Sequence, residues 1–70
     1  MFDKLKALRS KLAADQRVPA YIIFSDATLR DMCAKQPMTL DAFLDVSGVG
    51  AAKLEKYGDA FVGLINEYKS

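Results

Sequence analysis

Seventy residues with one cysteine (Cys33), no histidine and no tryptophan read as one small domain whose core must come from packing alone. No intramolecular disulfide can form, a zinc site lacks its Cys and His ligands, and no apolar run approaches the ~18 residues of a membrane span. Ten basic and nine acidic side chains give a net charge of +1, the N-terminus has no secretory apolar region, and a lone cysteine fits a reducing intracellular compartment.

Phe2, Leu5, Leu8 and Leu12 recur at spacings of three and four among good helix formers, which predicts a helix over 2–16. It ends before Val18-Pro19, because the residue preceding a proline is pushed out of the helical region. Tyr21-Ile22-Ile23-Phe24 is β-prone, but no second strand exists to pair with it, so an irregular or 3-10 segment plugging the core is expected, with Ile22 and Phe24 inward. Ser25-Asp26 is a helix-start signal for a helix over 26–35 carrying Leu29, Met32 and Cys33 and stopping before Pro37. Thr39 caps a short helix over 40–45 that buries Leu40, Phe43 and Leu44. After the glycine turn Val46-Ser47-Gly48-Val49-Gly50, a helix over 51–57 directs Leu54 and Tyr57 inward and breaks at Gly58. A last helix over 59–69 uses Phe61, Leu64, Ile65 and Tyr68. The fold class expected is an all-α compact bundle of five short helices.

Catalysis finds little to work with. Without histidine there is no Ser–His or Cys–His pair, Cys33 reads as a small buried hydrophobe, and Asp26 and Asp41 sit in first turns as helix-dipole partners. Gly48-Val49-Gly50-Ala51-Ala52-Lys53 lacks the spacing and preceding strand of a phosphate loop, so the chain is not expected to be an enzyme. The stretch from Leu44 to Leu54 does have the pattern helix, Gly-apolar-Gly, helix, with Lys53 in the first turn of the second helix. Glycines let backbone approach a phosphodiester, the helix N-terminus favours an anion, and lysine adds a full charge. The same residues would equally serve as a sharp interhelical turn in which Val49 plugs the core.

Two blocks, Val18-Pro19-Ala20-Tyr21-Ile22-Ile23-Phe24-Ser25-Asp26-Ala27-Thr28-Leu29 and Val46-Ser47-Gly48-Val49-Gly50-Ala51-Ala52-Lys53-Leu54-Glu55-Lys56-Tyr57-Gly58, resemble HRDC domains, and so does the leading Leu5-x-x-Leu8-Arg9 helix. The similarity spans essentially the whole chain and looks closest to the bacterial RecQ helicase type. It implies an HRDC-like, SAM-like orthogonal bundle at 1–70, belonging to a longer ATP-dependent DNA helicase of the bacterial cytoplasm and nucleoid. ATP and magnesium would serve that parent, and this domain would need no cofactor. The tyrosine of the P-x-Y block is associated with DNA binding in bacterial relatives, with nearby basic residues. Carried over, this points to Tyr21, a base-stacking group or else a core tyrosine.

Electrostatics departs from that pattern. Residues 1–17 carry +3, 18–45 carry −2, 46–58 carry +1 and 59–70 carry −1, and the pI is ≈ 7.8, below the ~9 typical of a strongly nucleic-acid-binding domain. The bases of the first helix fall on two flanks and read as a solvated face. The expected role is thus an accessory module that binds single-stranded or partial-duplex DNA weakly through Tyr21, Gly48, Gly50, Lys53, Lys56 and Arg17. The alternative is a regulatory domain that docks on the helicase core or on sister HRDC domains. A monomer with no membrane partner is expected in either case.

Overall fold

The computed structural model describes all of residues 1–70, and its helices are α1 (Phe2–Gln16), α2 (Ala20–Ile23), α3 (Asp26–Lys35), α4 (Leu40–Leu44) and α5 (Ala51–Lys69). α1 closes in a Schellman arrangement: Arg17 turns left-handed at φ 57°, its N–H donates to Ala14 O, and the N–H of Val18 donates to Ala13 O at 3.0 Å. Pro19 then forbids continuation. Ser25 Oγ caps α3 by accepting from Thr28 N, and Thr39 Oγ1 caps α4 by accepting from Ala42 N. Gln36, at φ 46°, ends α3 as Arg17 ends α1.

The core is aromatic at its centre. Phe24 meets Phe43, Tyr57 and Phe61 edge-on with ring centroids 6.0, 5.9 and 5.1 Å away, and Phe43 stacks on Phe61 at 6.1 Å. Leu5, Ile23, Leu29, Met32, Val46, Val49 and Ile65 complete it, so α1, α3 and the glycine turn close around rings supplied by α4, α5 and the residue ending α2.

Three features depart from the sequence expectation. Residues 20–23 form one α-helical turn instead of an irregular or 3-10 segment. The cost of its unpaired carbonyls is met by cations from other helices: Lys53 Nζ donates to the carbonyl oxygens of Ile22 and Ile23, and Arg9 Nη1 donates to Phe24 O at 3.0 Å. The helices expected over 51–57 and 59–69 are one continuous α5. Gly58 is buried within it, where a Cβ would come within 2.9 Å of Leu40 Cδ2 and 3.1 Å of Leu54 Cδ1. It serves close packing of α4 on α5 and is no break. The apolar residues Ile22, Leu40, Leu44 and Tyr68 are 42–47% exposed instead of inward, and Cys33 is half-buried.

Arg9 shows why the first helix carries no simple basic face. It is only 7% exposed, pairs with Asp26 Oδ1 at 2.7 Å, and joins α1 to the α2–α3 junction, although its Nε has no partner. This hydrogen bond and charge hold the Asp26 carboxyl below the usual carboxylate range. On the far side of the glycine turn, the N–H of Ser47 donates to Asp31 Oδ2 at 2.8 Å and Lys35 pairs with the same carboxylate, which depresses the Asp31 pKa likewise.

Candidate nucleic-acid interface

The C-terminal end of α1, the single turn of α2 and the first two turns of α5 converge at one end of the bundle, around a cleft of about 340 Å³ lined by Gln16, Val18, Ile22, Ala52, Lys53, Lys56 and Tyr57. Tyr21, adjoining Ile22 on α2, is 70% exposed, far more than a core tyrosine would be. Arg17, the exposed left-handed residue that closes α1, lies in the chain between the cleft residues Gln16 and Val18.

α5 begins at Gly50, whose backbone is extended (φ −103°) and whose side-chain direction is open, with nothing within 4 Å of a built Cβ. No side chain caps this terminus, and the first intrahelical bond at the cap is Leu54 N donating to Gly50 O. The amides of Ala51, Ala52 and Lys53 therefore make no capping bond, at the positive end of a 19-residue helix. Lys56 is exposed one turn further on, with its Nζ 5.7 Å from the Tyr57 ring centroid.

Two sequence-derived candidates have different surroundings. Lys53 spends two of its ammonium protons on the Ile22 and Ile23 carbonyls, the latter at 2.7 Å, and its Nζ lies 5.4 Å from the Phe24 ring centroid. It ties α5 to the turn that carries Tyr21. Gly48 adopts φ +87°, and a Cβ there would fall 2.3 Å from Thr28 Oγ1, so the turn must pass α3 at a residue without a side chain. Lys53 and Lys56 thus line the cleft, Arg17 and Tyr21 are chain neighbours of residues that line it, Gly50 precedes the helix that forms one wall, and Gly48 packs against α3.

Gln16 is the component that sequence reasoning passed over. Tyr57 Oη donates to Gln16 Oε1 at 2.9 Å, a bond across 41 residues that fastens the end of α1 to α5. No local pattern marks it, since the pairing depends on how the two helices meet. Two other basic residues lie elsewhere: Lys6 Nζ and the Arg30 guanidinium flank the Phe2 ring at 5.6 and 5.8 Å, near the opposite end of α1. No group of three or more Cys, Asp or Glu side chains is placed to hold a metal ion, and no helix is long and apolar enough to cross a membrane.

Comparisons with known proteins agree with this architecture. The family model for the HRDC domain matches residues 1–65. The ATP-dependent DNA helicase RecQ of Bacillus subtilis is 43% identical over 68 residues, covering 97% of this chain and 12% of that protein. The ATP-dependent DNA helicase UvrD2 of Mycobacterium tuberculosis is 39% identical over 62 residues, or 89% of this chain and 9% of that protein. Among solved structures, the third HRDC domain of D. radiodurans RecQ superposes with a TM-score of 0.94 at 32% identity, covering 99% of this chain and 91% of that one. The chain thus spans about an eighth or less of the two helicases it matches.

Proposed function

The chain belongs to the HRDC domain family, an accessory module of RecQ-type helicases, and from that premise we propose that it is an accessory nucleic-acid-binding domain. Residues 1–70 act as one such domain of a longer, RecQ-like helicase of the bacterial cytoplasm and nucleoid, and the domain itself is monomeric and without catalysis. ATP and magnesium belong to the parent's motor. The domain tunes which DNA the motor engages, through weak contacts to backbone and bases of single-stranded or partial-duplex DNA.

The observation that carries this reading is the meeting of a 70% exposed tyrosine, an uncapped helix N-terminus and two solvent-facing cations at one end of the bundle. Tyr21 stacks on an unpaired base, a contact worth about 1–3 kcal/mol. Gly50 and the amides after it receive a phosphate, with Lys56 and Arg17 supplying charge. Lys53 holds the Tyr21 turn against α5 and offers its remaining proton to the same phosphate. Gly48 shapes the turn that brings these amides forward. With two or three phosphates engaged, the salt slope on single strands is about −1.5 to −2. Such weak binding gains force when the domain is tethered to a motor already on DNA.

Fluorescence anisotropy with labelled single-stranded and partial-duplex DNA at low salt tests the reading. Binding that weakens in both Tyr21→Ala and Lys56→Ala supports it, whereas no binding at about 100 μM protein sinks it. Gly50→Ala is a useful third variant, because a Cβ there meets no protein atom and obstructs only a ligand.

A second reading has its own support. The chain is nearly neutral, and Leu40 and Leu44 of α4 are each 42% exposed beside the exposed Asp41 and Asp45. Such a mixed surface suits docking on the helicase core or a sister HRDC domain. Deleting the domain separates the two: the parent's DNA affinity falls under the first reading and holds or rises under the second.

A further inference from the structure

We propose that the cleft between the end of α1, α2 and the start of α5 seats one unpaired nucleobase that carries two carbonyl oxygens and no exocyclic amine, of the thymine kind. The inference rests on the DNA reading above and adds a base-selective seat to it. At about 340 Å³ the cleft lies at the lower end of small-molecule sites, ~300–1,000 Å³, which suits a single heterocycle better than a folded ligand.

Its walls are apolar where a base would press its faces: Val18, Ile22 and Ala52, with the Tyr57 ring behind them. Tyr57 is buried and packs edge-on against Phe24. The polar lining is dominated by donors. Because Gln16 Oε1 already accepts from Tyr57 Oη, the Gln16 amide is oriented with its N–H groups left to offer. Lys56 brings three donors on a flexible stem, and Lys53 has one proton beyond those given to α2. The Tyr57 hydroxyl oxygen is the main acceptor among these groups.

Thymine O2 and O4 meet such donors, whereas the exocyclic amines of adenine, cytosine and guanine would each point a donor at donors. A carboxylate would satisfy the donors yet leave the apolar walls against water. The uncapped α5 N-terminus beside the cleft takes the phosphate that accompanies the base.

The test compares oligo(dT), oligo(dA) and an abasic strand of equal length, by anisotropy with the 70-residue chain, its Ala52→Leu variant and its Tyr21→Ala variant. Ala52 is exposed in the first turn of α5, so leucine fills the cleft without entering the core, and circular dichroism checks the fold. Wild type is expected to bind oligo(dT) about fivefold or more tighter than the abasic strand, and also tighter than oligo(dA). The preference for oligo(dT) should persist in Tyr21→Ala and vanish in Ala52→Leu. If Ala52→Leu keeps the preference, or the wild type shows none, the base seat is overturned while the DNA reading stands. If no strand binds, both fall together.

Discussion

Arg17 and Gln36 both adopt left-handed backbone at helix ends where glycine is the usual occupant, with φ of 57° and 46°. A side chain there costs about 1 kcal/mol, so Arg17→Gly is expected to raise or hold thermal stability while weakening DNA binding. Calorimetry and anisotropy on the same variant check the two halves. Retaining arginine at a strained position would then reflect use of its charge. Titration gives a second expectation at this scale. Asp26 and Asp31 are depressed by Arg9 and by the Ser47 amide respectively, so each contributes stability that is present above the ordinary carboxylate pKa and is lost as pH falls through the lower folded value. The melting temperature should therefore drop below about pH 4, and the drop should be shallower in Asp26→Asn. Serine and threonine caps were readable in the sequence because Ser25 and Thr39 act on their own neighbours. Arg9 was not, because its partners, Phe24 O and Asp26, become neighbours only when α1 crosses the α2–α3 junction.

At the scale of elements, α2 exists because other helices supply its hydrogen-bond partners. Lys53→Met should leave the Ile22 and Ile23 carbonyls to water, cost about 1–2 kcal/mol and speed amide exchange around Tyr21 before the rest of the fold is affected. Equal loss of protection throughout the chain would contradict this local role. The two packed glycines make an opposed pair. Gly48→Ala forces a Cβ against Thr28 at positive φ and should destabilise by about 1–3 kcal/mol. Gly58→Ala meets only the ends of two leucine side chains, one of them 42% exposed, and α-helix propensity rises by about 1 kcal/mol, so it should be neutral or stabilising. Chemical denaturation of both variants decides. Gly58 also shows what a sequence hides: the same residue can end a helix or admit a neighbour, and only the position of Leu40 determines which. Residues 20–23 hide their helical turn for a related reason, since the lysine that completes it lies some thirty positions later.

For the whole molecule, heptad-like spacing, caps and the two prolines made an all-helical bundle legible, and the pairing of two motif blocks made the family legible. The candidate site was less so. Tyr21, Arg17, Gly50 and Lys56 come from three elements and meet only after α1 is fastened to α5 through Gln16 and Tyr57. The positive excess of residues 1–17 forms no single basic face, since Arg9 turns inward and Lys6 lies beside Phe2. The proposed contact is correspondingly small, which suits weak, tethered binding better than a long basic groove would.

Backbone chemical-shift mapping of the 70-residue chain, titrated with oligo(dT) at low salt, shows which end of the bundle meets DNA. Perturbations are expected to concentrate at 16–22 and 50–57, with little change along 38–45 or at the far end of α5. Perturbations centred on Met38, Leu40 and Leu44, or none at saturating DNA, would contradict this.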